Sequence, residues 1–393
     1  MHLATLGIAV GLAVMLLSSA IGLGFKHVVA EKIMGFAGHA VVIDSRTAAS
    51  SQIVPVKLSD EAVEGIKDID NVRNAVRFSQ TVGILKTETD FRDIAIKGIS
   101  SDYDTLFLHR HLIEGYIPRF DSLNCRNDII LSSLLARELG LQAGDRVYAY
   151  FFDRTLRTRR FTIAGIYETN LNRFDRNMVI GNLSTVNQLN GWNETDCSGL
   201  EITTLDFDKI NETSIAIVSY LSRLNYAGGR TLSCYTVREL YGQVFEWLKL
   251  LDLNVWVILG LMLCVACCTI ISGLLITMLQ KTATIGTLKA LGSTNRLIGN
   301  IFLSYSFFII VRGLAIGNFI GLGIALLQSR FNIFGVFFHL DPQSYYIDRV
   351  PILFDASTIA LLNVATLLIA MLALIIPGCV VARVAPVKAI RCE

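Results

Sequence analysis

Four long apolar runs divide the chain: Leu3 to Gly24, Val255 to Leu279, Ile298 to Leu327 and roughly Ile359 to Val381. Val255 to Leu279 holds no charge, and its ~25 residues make roughly 37 Å of helix, enough to cross a hydrocarbon core of about 30 Å. Between the second and third runs lies Gln280 to Leu297, a polar segment with Lys281, Lys289 and Arg296 and no acid. The positive-inside tendency places it in the cytoplasm, so four crossings put both termini there, in keeping with Arg383, Lys388 and Arg391 in the tail. Within the polar segment Ile285, Leu288 and Leu291 recur at helical spacing. Gly292-Ser293 offers a stop, and Thr294-Asn295 can cap the next helix. A short amphipathic helix suited to a groove on a soluble partner is expected there.

The first two runs are separated by about 225 residues of mixed pattern, enough to bury a core and to form two sub-lobes. Phe25, Val28, Val29, Ile33 and Phe36 share one helical face and extend the first span as a stalk; Leu240, Val244, Trp247, Leu248 and Leu251 do the same before the second. Ser59 starts a helix over Leu58 to Ile69, with acids in its first turn. Alternation predicts strands over Val72 to Phe78, Thr81 to Thr87 and Phe91 to Ile99. Asp128 to Val147 reads as strand, helix, a Gly140 stop and a turn through Gly144-Asp145. The hairpin Val147 to Phe152 and Phe161 to Tyr167 encloses four arginines in Asp153 to Arg160, whose tip is solvated or meets an acidic partner or lipid headgroups. The fold class expected is an α-helical membrane protein with four transmembrane helices and a large extracytoplasmic α+β domain on helical stalks between spans 1 and 2.

Composition agrees: 52% of the 393 residues are hydrophobic, 17% charged, and mean hydropathy is +0.52. A formal net charge of +2 with no basic stripe argues against a nucleic-acid partner. The first run lacks a basic n-region and a cleavage site, so it reads as a retained span. Of the eight cysteines, Cys264, Cys267, Cys268 and Cys379 fall in spans as small packing residues, while Cys125, Cys197 and Cys234 lie in the large domain, where an odd number leaves at least one free thiol. His39 reads as a strand residue, and His109-Arg-His111 lacks a nearby third ligand, so no metal site is expected. No phosphate-binding GxxxxGK[ST] loop, nucleophile elbow or HExxH occurs, so the chain is expected to be no enzyme and to bind no cofactor directly.

Arg312 is the one charge inside a span. Placing it near the bilayer centre costs roughly 2.5 to 3.5 kcal/mol, so it should face protein or water. No acid lies in any span; carbonyls, Asn318, Asn363 or a carboxylate of another subunit are its possible partners, for substrate passage or subunit pairing.

Thr284-Ile-Gly-Thr-Leu-Lys-Ala-Leu-Gly-Ser-Thr294 followed by Ile301-Phe302 resembles the loop after the second span of FtsX/MacB-like ABC transporter permeases. Gly24-Phe25 through Phe36 with Gly38-His39, Gly165-Ile-Tyr-Glu168, Gly199-Leu-Glu-Ile202, Leu340 to Pro351 and the basic tail from Arg383 to Arg391 are similar to the lipoprotein-releasing LolC/LolE branch. The basic segment that usually precedes the first span has no counterpart before Leu3, and the arginine-rich tip is shorter than the insertion that meets a lipoprotein carrier in LolC-type members. The resemblance implies a MacB-like periplasmic core over 25–250, spans at 1–24, 251–279, 298–327 and 355–382, an outer loop at 328–354 and a tail at 383–393, all in a bacterial inner membrane. It makes 280–297 the coupling helix for a cytoplasmic ABC ATPase, with Thr282, Ile285, Gly286, Leu288, Lys289 and Leu291 as its contacts; ATP enters only through that subunit. A second permease copy or homologue, lipoprotein cargo and a periplasmic carrier are the further partners implied. Cargo contacts are expected from Met15, Ile21 and Leu23 on the first span and Val255, Leu259 and Met262 on the second. An FtsX-like regulator that passes ATPase cycles to a periplasmic partner, and a MacB-like efflux permease, are the competing readings.

Overall fold

The structure, a computed structural model, describes all residues except 1, 51–52, 121–124, 153–155, 225–231, 282–283, 285–286, 289–290, 333–346, 348 and 374–393. In chain order its elements are α1 His2–Ala37, β1 Ala40–Asp44, α2 Ser45–Ala49, β2 Val56–Lys57, α3 Asp60–Lys67, β3 Val72–Lys86, β4 Phe91–Ile99, α4 Leu106–His111, β5 Leu112–Gly115, β6 Asp128–Ser132, α5 Ser133–Leu139, β7 Arg146–Phe152, β8 Leu156–Tyr167, α6 Asn172–Asp175, β9 Met178–Asn182, α7 Leu183–Asn190, β10 Asp196–Cys197, β11 Gly199–Thr204, α8 Ile210–Arg223, β12 Leu232–Thr236, α9 Val237–Leu240, α10 Gly242–Gln280, α11 Asn295–Phe331 and α12 Ala356–Ala373. Contacts separate the chain into two units. One comprises the described residues of Met1–Val28, Glu246–Leu340 and Arg349–Glu393, the other Val29–Phe245.

Among the described residues four helices are long and apolar enough to span a membrane. Glycines let two of them approach closely. A Cβ on Gly313, Gly317 or Gly321 of α11 would meet Ile8, Ala9 and Leu12, or Ala13 and Leu16, of α1 within about 3 Å, so the backbones pack where only hydrogen fits. α11 and α12 are joined by a reciprocal amide pair: Asn318 Nδ2 donates to Asn363 Oδ1 at 2.6 Å, and Asn363 Nδ2 to Asn318 Oδ1 at 3.0 Å. Each asparagine also donates to a carbonyl one turn back, which satisfies polar groups that lipid cannot. Where both stalks lie in this unit they meet, with the Phe25 ring edge-on to Trp247 at 5.7 Å and Lys26 Nζ 2.6 Å from Asp252 Oδ2. The second stalk is not one helix, because α9 ends at Leu240 and α10 begins at Gly242.

In the second unit a sheet runs in the order β12-β1-β11-β3-β4-β9-β6-β8-β5, and β7 bridges β3 and β8. Strand β3 joins two cores. Its first half pairs with β11 beside Ala62, Val63, Ile66, Ile210 and Ile217 of α3 and α8; its second half pairs with β4 and β7 over Leu135, Leu139, Val186 and Leu189 of α5 and α7. The break expected between Phe78 and Thr81 is absent. Ser79 and Gln80 stay in the strand because tertiary partners satisfy them: Ser79 Oγ donates to Asn187 Oδ1 at 2.5 Å, and Ser198 Oγ accepts from Gln80 N at 2.7 Å. The helix signals hold. Ser59 Oγ accepts from Ala62 N, and Gly140, at φ 64°, ends α5 in the left-handed region. β8 begins at Leu156, five residues earlier than the alternation suggests, and residues 153–155 of the tip lie outside the described residues.

Candidate functional site

The polar segment Gln280 to Leu297, expected to be a cytoplasmic handle, follows α10. Thr282, Ile285, Gly286 and Lys289 lie outside the described residues; Thr284, Thr287 and Leu288 are helical. Leu291 N donates to Thr287 O and Ser293 N to Leu288 O, both at 3.0 Å, while Gly292 at φ 92° turns the chain out of the helix. Thr294 Oγ1 then accepts from Leu297 N and caps α11. Leu291, an apolar side chain, is 79% exposed at this turn among the described residues.

The residues expected to meet cargo divide into two sets. Met15 and Leu259 are buried in a cluster with Leu12, Leu16 and Leu362, against which Val255 and Met262 pack. They form the interior of the single-chain bundle and not a laterally open surface, because helix contacts are made by the same apolar residues that would face a lipid. Ile21 and Leu23 are half-buried, and Leu23 lines a narrow cleft with Ser19, Ala20, Leu353 and Phe354.

Arg312, the eighteenth of the 37 residues of α11, is exposed on the bundle. Asn318 and Asn363 are not its partners, since their amides close on each other.

One constellation was not foreseen. Lys97 of β4 and Glu201 of β11 are both buried, with Lys97 Nζ 2.5 Å from Glu201 Oε2. Lys97 also donates to the carbonyl of Phe36, in the last turn of α1, and lies 3.1 Å from Tyr103 Oη, which in turn donates to Glu201 Oε1 at 3.0 Å. Its ammonium sits 4.9 Å from the Tyr103 ring centroid and 5.6 Å from that of Phe78. Burial, then the Glu201 charge, holds the Tyr103 phenol well above its ordinary range, so it stays a donor. Lys97 therefore caps the end of α1, whose Phe36 ring is enclosed by Phe107, Tyr167 and Phe174 at 5.0 to 5.6 Å. Lys32 Nζ adds a bond to Thr169 O at 2.7 Å. The sequence signal was a charge inside each of two apolar strand patterns, Ile-Ala-Ile-Lys-Gly-Ile and Gly-Leu-Glu-Ile.

The arginine-rich hairpin is partly occupied within its own unit. Arg157 Nη1 donates to the carbonyls of Gln188 and Leu189 at the end of α7, and Arg159 donates to Asn127 Oδ1 and Gln188 Oε1. Cys197 and Cys234 are free thiols, each pushed up to about 12 by burial. Among the described residues no group of three His, Cys, Asp or Glu could hold a metal ion.

The architecture is thus a helical unit with helices able to span a membrane and a β-rich unit inserted after the first of them. The MacB-like periplasmic core domain matches residues 2–217 and the FtsX-like permease C-terminal domain residues 256–386, so the chain belongs to the MacB/FtsX-like family of ABC transporter permeases, membrane subunits that are not themselves catalytic. It is 23% identical to the lipoprotein-releasing system transmembrane protein LolC of Xylella fastidiosa, covering 99% of this chain and 92% of that one. To LolE of Haemophilus influenzae it is 19% identical, over 98% and 92%. The macrolide export ATP-binding/permease protein MacB of Nitrobacter winogradskyi is 22% identical over 84% of this chain and 51% of its own. Among solved structures, the periplasmic region of MacB from Actinobacillus actinomycetemcomitans aligns with a TM-score of 0.39 and 13% identity, over 55% of this chain and 95% of that one.

Proposed function

We propose that this chain is the permease subunit of an ABC transporter that extracts lipoproteins from the outer leaflet of a bacterial inner membrane, driven by a separate cytoplasmic ATPase. The observation that supports it most is likeness to LolC-named proteins along 99% of the chain, through both units and the handle between α10 and α11. In this reading the handle, with Leu291 at its exposed turn, receives the ATPase. Movement of the spans opens and closes an apolar space at the outer ends of α1 and α10, where Ile21 and Leu23 remain accessible, and a periplasmic carrier takes the cargo.

The test is purification from native membranes with photo-crosslinkers at Ile21 and Leu23. An ATPase should co-purify, and an acylated polypeptide should be captured without ATP and lost when ATP is added. Capture of phospholipid alone, with an ATPase and a periplasmic hydrolase bound, would support the regulator instead. Leu291→Asp should reduce ATPase recovery by about tenfold while leaving the β-rich unit folded, since a charge replaces the apolar contact; unchanged recovery would remove the handle from the coupling role.

A further inference from the structure

α1, the C-terminal third of α11 and the start of α12 enclose a narrow crevice lined by Leu16, Leu23, Leu322, Ala325, Leu353 and Phe354. It leaves about 310 Å³ of empty space, of which only about 10 Å³ admits the centre of a water molecule. Room for a single water at most means that the crevice excludes solvent, while a thin and flexible apolar chain can lie along it. Its roof is the segment 351–355. Leu353 N donates to Ala20 O at 3.1 Å, and a Cβ on Gly24 would meet Pro351 O at 2.7 Å, so this segment lies on α1. Leu353 and Phe354 are 38% and 40% exposed, which leaves the crevice open at its side. The polar groups at its mouth are satisfied, since Asp355 accepts from the hydroxyls and N–H groups of Ser357 and Thr358.

Two cations stand at the end of this crevice. Gln328 Nε2 lies 3.5 Å from Val350 O, which brings the last turn of α11 to the roof segment, and Arg330 and Arg349 flank that contact in the sequence. Both are exposed, and neither has a hydrogen bond or ion pair among the described residues. Ala325, on the crevice wall, precedes Arg330 by five residues, about 7.5 Å along the helix. We infer that this is a binding site for one anionic phospholipid, its phosphate held by Arg330 and Arg349 and one acyl chain laid along the crevice. Guanidinium groups bond phosphate oxygens strongly, and the dry apolar walls beside them reject a polar solute. Along α11 the order of cation and then apolar crevice is the order of a lipid from headgroup to tail. The site requires only that the helices span a bilayer; it does not depend on the transport reading, and its test uses neither ATPase nor cargo.

The experiment reconstitutes the full chain in phosphatidylcholine nanodiscs doped with phosphatidylglycerol that carries a photoreactive diazirine in one acyl chain, and identifies the labelled peptides by mass spectrometry. Label is expected on the peptides that contain Leu23, Leu353 and Phe354, and about tenfold less of it when the probe is phosphatidylcholine with the same chain. Arg330→Gln with Arg349→Gln should abolish that tenfold preference, and Arg330→Lys with Arg349→Lys should keep most of it. Leu353→Glu, which sets a charge against the acyl chain, should lower the label on the Leu23 peptide by about tenfold. Gel filtration checks that each variant is folded; if the glutamine pair is not, Arg349→Gln alone carries the decision. Equal labelling by the two lipids, an undiminished preference in the glutamine variant, or displacement of the lipid by glycerol phosphate in solution, the mark of a site for free phosphate, would overturn the proposal.

Discussion

Two basic side chains show how differently the two units treat charge. Lys97 of the β-rich unit is buried and fully engaged by Glu201, Tyr103 and the Phe36 carbonyl. Arg312 of the helical unit is exposed on an apolar surface, with no hydrogen bond or ion pair among the described residues. A buried ammonium is tolerated only when every donor is used, which gives the β-rich unit a closed polar centre. A guanidinium at mid-membrane depth costs roughly 2.5 to 3.5 kcal/mol unless it faces protein or water.

The largest expected effect tests the closed centre. Lys97→Met leaves the Glu201 carboxylate buried without its cation and should cost about 3–5 kcal/mol, read as a lowered unfolding transition of the full chain in detergent. Lys97→Met combined with Glu201→Leu should recover much of the loss, because both charges are then gone. A single substitution without effect would mean that the pair is not desolvated.

In the helical unit Gly317→Val should cost about 1–3 kcal/mol through overpacking against Ala9 and Leu12, measured the same way. Gly323, with open space around its Cβ position, is the internal control, and Gly323→Ala should be near neutral or slightly stabilising. Equal losses at both positions would show that helix propensity and not close approach is being measured.

The smallest effect is pH-dependent and confined to the β-rich unit. Burial first, then Arg73, lowers the His39 pKa below its usual 6.5, and its Nδ1 accepts from Thr204 N at 3.0 Å, which needs the neutral ring. The unfolded chain therefore takes up this proton before the folded one. Stability from this group is complete above about pH 6.5 and falls as pH drops from there toward the folded value. His39→Gln should flatten that part of the stability profile by less than about 1.4 kcal/mol per pH unit, the limit for one proton. A profile unchanged by the substitution would assign the acid loss to other groups.

Much of this was legible in the chain. Ser59, Gly140 and Thr294 act where their chemistry is local, one side chain or one left-handed residue deciding a helix end. The turn expected at Ser79-Gln80 failed because the partners that keep β3 extended, Asn187 and Ser198, are more than 100 residues away. Lys97 and Glu201 stood out as charges in apolar strands, but their partnership across 104 residues, and its attachment to the end of α1, needed the sheet register.

Length and hydropathy by themselves determined four candidate spans and the presence of a large inserted domain, because bilayer thickness and backbone hydrogen bonding leave a helix few alternatives. Tertiary structure alone decided which faces of those spans are used. Gly313, Gly317 and Gly321 recur every four residues and so mark one close-packing face of α11 in the sequence, but only the tertiary structure decided that this face meets α1 while Arg312 faces out. Likewise Met15 and Leu259 differ little in character from Ile21 and Leu23, and only packing sends the first pair inward.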